Sequence, residues 1–158
     1  EYMMISIGDK APEFNVSIDS DAQFAFADAI GKNLILYFYP KDDTPGCTKE
    51  AIDFSKKFDE FDAQETIIIG VSRDSKNKHA KFICKYDLRI HLISDEDGRL
   101  CEAFGTWVKI QMYGRSYMGI ERTTFLINSK GEVAHIWRNV KVIGHVENVL
   151  ATIKARNM

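Results

Sequence analysis

The chain is poor in cysteine, in proline and in long apolar runs. Its three cysteines, at 47, 84 and 101, are too few for a fold held by disulfides. No C-x-x-C pair occurs, and the gaps between the three match no zinc spacing. No apolar run approaches the roughly 20 residues that a membrane helix needs. Neither sign of charge dominates: 21 Lys and Arg stand against 23 Asp and Glu, a net charge of −2. That balance leaves no electrostatic footprint for nucleic acid or an anionic membrane. Residues 1–5 carry neither the basic nor the apolar region of a signal peptide. The histidines, at 79, 91, 135 and 145, are scattered; each is read as a surface or half-buried residue, and no metal is assigned.

What is present suits one domain over 1–158, since 45% apolar residues can furnish a core for 158 residues. Leu34 to Tyr39 and Thr66 to Ser72 are continuous apolar runs, the second rich in β-branched residues. Both predict strands buried on two faces, as in a parallel sheet. Between them, Ala51, Phe54, Phe58 and Phe61 share one face of a helix. Gly8 to Phe14 reads as extended, Val16 to Phe26 as a weak hairpin turning at 19–21, and 27–32 as a loop or single helical turn. A further helix is predicted over 75–86, with His79, Phe82, Ile83 and Tyr86 inward and Cys84 outward. A short strand at 90–93, a turn at 95–98 and a short helix follow. Leu100, Cys101 and Phe104 lie on the inner side of that helix, so Cys101 reads as a core filler. The stretch 107–117 reads as a loop, near 113–116, between strand pieces. A hairpin over 123–137 and a helix over 144–155 close the chain. Alternating strands and helices followed by a hairpin imply an α/β fold, a mixed central sheet with helices on both faces.

Cys47 falls where the first of those strands hands over to a helix, the place where open α/β sheets put their chemistry. Thr44 suits the N-cap and Pro45 the first helical position. Gly46 and Cys47 then take the second and third. A sulfur there meets unpaired backbone N–H groups and the positive end of the helix dipole, and both favour a thiolate. Gly46 lets another molecule approach the backbone. A buried, inert cysteine in a turn is the alternative for any single Cys.

The same residues carry a resemblance. Pro40-x-x-x-Thr44-x-x-Cys47, within Tyr37-Phe-Tyr-Pro-Lys-Asp-Asp-Thr-Pro-Gly-Cys-Thr-x-Glu50, resembles the peroxiredoxin signature. It is most similar to the bacterioferritin comigratory protein, or peroxiredoxin Q, subfamily. The likeness begins at Gly8 to Phe14, passes through Gly70 to Ser72 and Leu92 to Asp95, and reaches Gly119 to Ile127.

The resemblance implies a thioredoxin-like fold and a thiol-dependent antioxidant peroxidase without a cofactor. Cys47 would attack hydrogen peroxide or an organic hydroperoxide and become a sulfenic acid. Thr44, Pro40 and Arg122 would complete the catalytic set, Arg122 facing Cys47 as a permanent cation. Gly46 and Glu50 would support it from behind, although an exposed Glu50 reads almost as well. Arg115 and Trp107 are further candidate neighbours. The subfamily's usual resolving cysteine stands five residues after the reactive one, but here that position is Ile52. Other members place it in the next helix, and Cys84 matches that alternative. The remaining option is a one-cysteine cycle completed by an external thiol. Thioredoxin or a similar dithiol, a monomeric state and a cytoplasmic location are the family's implications.

Two rival readings differ in class. A thioredoxin-type disulfide reductase would need a partner cysteine where Glu50 stands. A binding module of the same fold would have no use for Thr44, Cys47 and Arg122 together.

Overall fold

The computed structural model describes residues 4–18 and 23–157. Strands β1 (Asn15–Ser17) and β2 (Gln23–Ala25) pair antiparallel ahead of a single 3-10 turn, Phe26–Ala29. The turn expected at 19–21 lies outside the described residues. Then come β3 (Asn33–Phe38), α1 (Pro45–Lys56), α2 (Phe58–Ala63), β4 (Thr66–Ser72), α3 (Lys76–Tyr86), β5 (His91–Ser94) and α4 (Arg99–Ala103). The remainder is β6 (Trp107–Met112), β7 (Arg115–Ile120), β8 (Thr123–Ile127), β9 (Val133–Trp137) and α5 (His145–Arg156).

The central sheet runs β5-β4-β3-β8-β9. β3, β4 and β5 are parallel, whereas β8 and β9 join antiparallel. It is the mixed sheet expected, and its register has a functional consequence. Phe38 pairs with Thr123, so the start of β8 lies beside the carboxyl end of β3. The segment before β8 and the segment after β3 therefore meet at one edge.

β3 divides the interior by simple alternation. Leu34, Leu36 and Phe38 join Val71, Ile93, Phe104 and Phe125 on one face. Ile35, Tyr37 and Tyr39 join Phe54, Phe61, Leu92 and Val149 on the other. β3 and β4 are covered on both sides, which is why their sequences read as apolar runs.

Three local readings change. The helix expected through 61 is two helices, interrupted at Lys57, whose N–H reaches the carbonyls of Asp53, Phe54 and Ser55. Ala51, Phe54 and Phe61 are buried as expected, but Phe58 is only half-buried and carries Arg89 4.5 Å above its ring. Residues 107–120 form a separate hairpin with a two-residue turn, Tyr113-Gly114, both at positive φ (53° and 77°). Such a turn matches strand twist, and Arg115 and Ser116 belong to β7 rather than to a loop. His79 and His145 are buried instead of lying at or near the surface.

Gly70 pairs with Tyr37 across β3 and β4. A Cβ at Gly70 would stand 2.8 Å from the Tyr37 hydroxyl oxygen and 2.9 Å from Leu92 Cδ2. Gly70→Ala should therefore destabilise the protein by roughly 1–3 kcal/mol, the cost of overpacking a filled core. The urea midpoint should fall at an unchanged m value.

Candidate active site

α1 starts where β3 ends, and its first turn is built around a thiol. Thr44 is the N-cap, with extended backbone, and Pro45 is the first helical residue. The Thr44 side chain does not cap the helix; its hydroxyl donates back to the Lys41 carbonyl at 2.8 Å. That bond uses the hydroxyl proton and leaves the oxygen's lone pairs as acceptors. Thr48 N–H makes the early helical bond, to the Thr44 carbonyl at 2.8 Å. The N–H groups of Gly46 and Cys47 precede it and have no helical carbonyl to meet.

Cys47 is 2% exposed. Arg122, immediately before β8, donates from Nη2 to Cys47 Sγ at 3.4 Å and from Nη1 to Glu50 Oε1 at 2.7 Å. One guanidinium thus spans the thiol and the carboxylate one helical turn behind it. Gly46 eases the approach: a Cβ there would lie 3.1 Å from Arg122 Nη2, a tighter contact than usual. Val140 N–H, bonded to the Arg122 carbonyl at 2.9 Å, fixes the backbone from the other side.

Glu50 is fully buried, which its sequence position did not announce. Its Oε2 and the Tyr37 hydroxyl are buried without a hydrogen-bond partner among the described residues. Burial pushes the Glu50 carboxyl up to about 7, against the lowering pull of Arg122. Burial, and then the Glu50 and Cys47 charges, push the Tyr37 phenol well above its ordinary range. Arg122 stays a cation: burial opposes its charge, but Glu50 and Cys47 more than offset that. Behind this group, His145 Nε2 lies 2.8 Å from the Thr124 hydroxyl. Burial, then the Arg122 charge, lower His145 to about 4.

A second polar group stands beside the first. Asp42 meets the Tyr39 hydroxyl and His79 Nδ1, both at 2.6 Å. Its N–H donates to Asp74 Oδ2 at 2.8 Å, and Asp74 also accepts from the Ser72 hydroxyl at 2.7 Å. His79 Nε2 donates to the Ile93 carbonyl at 3.0 Å. The inward placement of His79 beside Phe82 was visible in the helical spacing; its partner Asp42 was not.

The other residues singled out from the sequence separate cleanly. Pro40 is exposed and, with Trp107, Ile110, Tyr117 and Met118, lines a cavity of about 520 Å³. Arg115 stands at the far tip of the β6–β7 hairpin and lines a small cleft of about 230 Å³ there. Cys84 is exposed on α3, and Cys101 is buried; all three cysteines are free. Burial, then Asp95, push the Cys101 thiol well above the ordinary range.

A buried thiol at the start of α1, held by an arginine and without a C-x-x-C partner, is a thiol centre of another kind from the adjacent-cysteine pair of a disulfide reductase. The AhpC/TSA family model matches residues 7–136, and the chain belongs to that family. Among its relatives are Peroxiredoxin Bcp of Bacillus subtilis, 46% identical over 96% of this chain and 97% of that protein, and Peroxiredoxin Bcp of Xanthomonas campestris, 45% identical over 89% and 88%. The fold is similar to that of Xanthomonas campestris bacterioferritin comigratory protein, with 43% identity, TM-score 0.87 and 92% of each chain covered. It is also similar to that of a Xylella fastidiosa PrxQ variant, with 36% identity, TM-score 0.94 and 99% of each chain covered. The thioredoxin-like fold and the peroxiredoxin resemblance are thereby both borne out.

Glu50 and His145 act on stability in opposite directions. Glu50 holds its proton more tightly folded than unfolded between its ordinary 4.5 and about 7, so its contribution falls as pH rises through that window. His145 holds its proton less tightly when folded, so between about 4 and its ordinary 6.5 its contribution grows with pH. Glu50→Gln removes the first and keeps the second. Its stability, from urea titrations at a series of pH values, should climb more steeply with pH over this range than the wild type's.

Proposed function

We propose that the chain is a thiol peroxidase in which Cys47 reduces hydrogen peroxide and organic hydroperoxides. The observation that carries this reading is the 3.4 Å contact from Arg122 to Cys47 Sγ at the unpaired start of α1. The Cys47 thiolate attacks the terminal peroxide oxygen, the O–O bond breaks, and the departing oxygen takes a proton to leave as water or an alcohol. Cys47 is left as a sulfenic acid. Arg122 and the N–H groups of Gly46 and Cys47 oppose the charge that develops on the peroxide oxygens. The Thr44 lone pairs accept from the peroxide hydroxyl, and Pro40 limits water at the mouth. The apolar cavity beside Pro40 supports organic hydroperoxides as substrates as well as hydrogen peroxide.

In the second half of the cycle, the Cys84 thiol attacks the sulfenic sulfur, water leaves, and a Cys47–Cys84 disulfide forms. Exposure of Cys84 on α3 supports this assignment, and the burial and raised pKa of Cys101 disfavour the alternative. A dithiol reductant of the thioredoxin kind then reduces the bond by exchange. We further infer a monomer, one domain over 1–158, and a reducing compartment, the cytoplasm, where free thiols persist.

Purified reduced protein should consume one equivalent of hydrogen peroxide and then turn over with thioredoxin. Cys47→Ser should do neither; normal turnover in that variant would overturn the assignment. Arg122→Met should lower the second-order rate with peroxide by roughly tenfold or more, as loss of a charge partner does. Equal rates would mean that the guanidinium plays no part. After one equivalent of peroxide, peptide mapping should show Cys47 joined to Cys84. Cys84→Ser should stall as sulfenate and overoxidise to the sulfinic acid at high peroxide. Normal turnover of Cys84→Ser with thioredoxin would instead favour the one-cysteine cycle.

A further inference from the structure

The dipeptide Asp42-Asp43 lies between the strand that ends at Phe38 and the Thr44 cap of α1. Its two carboxylates leave the chain in different directions and reach the same helix. Asp42 is buried and meets His79 Nδ1 at 2.6 Å. Asp43 is exposed; it accepts from Lys85 Nζ at 2.8 Å and from the Tyr86 hydroxyl at 2.6 Å. His79, Lys85 and Tyr86 all belong to α3, the helix that carries Cys84. Asp43 adopts φ 57°, a left-handed conformation uncommon outside glycine but tolerated by Asp. That turn lets adjacent residues grip α3 at points about two helical turns apart.

The inner grip is closely specified. The Ile93 carbonyl can only accept, so His79 Nε2 carries a proton and donates it. The 2.6 Å contact between Nδ1 and Asp42 Oδ2 then needs one more shared proton, and the Tyr39 hydroxyl satisfies the other Asp42 oxygen. The apolar attachment of α3 comes from buried Phe82, with Ile83 and Tyr86 partly buried against the same core, and the two polar grips add to it. Lys85, then Tyr86, hold the Asp43 carboxyl below its ordinary range, in keeping with the outer grip.

Cys47 is enclosed beneath Arg122, whereas Cys84 faces outward on a separate helix. A disulfide has narrow geometric limits, and with one sulfur buried and the other facing solvent, joining them calls for movement of α3 or of the start of α1. Either movement passes through Asp42-Asp43. We propose that Asp42 and Asp43 form a clasp whose release from α3 gates the second half-reaction. Closed, it holds α3 in place and keeps Cys84 away from Cys47. Open, it frees α3 so that the Cys84 thiol reaches the Cys47 sulfenate, forms the S–S bond and expels water. Asp42, Asp43 and His79 are positioning residues in this account, and it rests on the assignment of Cys84 as the resolving thiol.

The double variant Lys85→Met, Tyr86→Phe removes both Asp43 partners while leaving both thiols and the 40–50 loop unchanged. Three rates should respond differently. Oxidation of Cys47 by hydrogen peroxide should be unchanged. Formation of the Cys47–Cys84 disulfide after one equivalent should accelerate roughly three- to tenfold, as expected when one or two exposed charge-assisted hydrogen bonds no longer hold the closed state. Amide exchange over 80–86 in the reduced protein should quicken. Asp43→Asn, which retains one acceptor oxygen and the left-handed backbone, should fall between the wild type and the double variant. Unchanged or slower disulfide formation in the double variant would overturn the clasp, as would unchanged exchange. If the wild type itself forms no Cys47–Cys84 bond, the resolving assignment fails and the gate with it. Faster exchange would then credit the contacts with holding α3 and nothing more.

Discussion

A single guanidinium shared between two acidic groups in a nearly dry site is the constraint on which the rest depends. Arg122 reaches Cys47 with one nitrogen and Glu50 with another. Were Glu50 fully ionised at every pH, it would compete with the sulfur for that one charge. Burial raises Glu50 to about 7, so near neutrality part of its demand is met by a proton instead. The carboxyl then orients Arg122 without wholly neutralising it. A fully exposed Glu at the same position could not do this, because water would keep it charged and mobile.

The fold makes that contact through three independent features. Antiparallel insertion of β8 beside β3 brings Arg122 to the carboxyl end of the parallel strands, where α1 begins. Gly46 leaves room for the guanidinium at the helix start. Tyr37, admitted by Gly70, is buried near enough to Glu50 for that charge to raise its phenol. The Asp42–His79 group forms a parallel support, linking the ends of β3 and β4 to α3. The active loop is thus held by buried polar contacts on either side.

Much of this was legible in the sequence because two-sided burial leaves a plain mark. The runs 34–39 and 66–72 are apolar without interruption, and the Thr44-Pro45 start fixes Cys47 at the third helical position. The inward and outward sides of α3 followed from spacing alone, including an exposed Cys84. The resemblance named Arg122. Hidden features were those set by partners distant in sequence. Glu50 looks like any helical glutamate until Arg122 arrives from 72 residues away. His79 and His145 looked ordinary because their partners, Asp42 and Thr124, lie on other elements. The 107–120 hairpin was obscured by its largely exposed strands, which lack the alternation of a half-buried sheet. The interruption at Lys57 leaves the apolar spacing on both sides intact, so periodicity could not reveal it.

The central claim is that the Arg122 contact and the α1 start single out one sulfur among three. It is tested most directly by competition within one molecule. Fully reduced protein would be given a substoichiometric amount of hydrogen peroxide in the presence of a sulfenate-trapping dione, quenched, and digested for mass spectrometry. The account predicts the trapped adduct on Cys47, with Cys84 and Cys101 unmodified, even though Cys84 is the most exposed of the three thiols. An adduct appearing first on Cys84 would show that exposure, not the buried charge arrangement, decides which thiol reacts, and would contradict it.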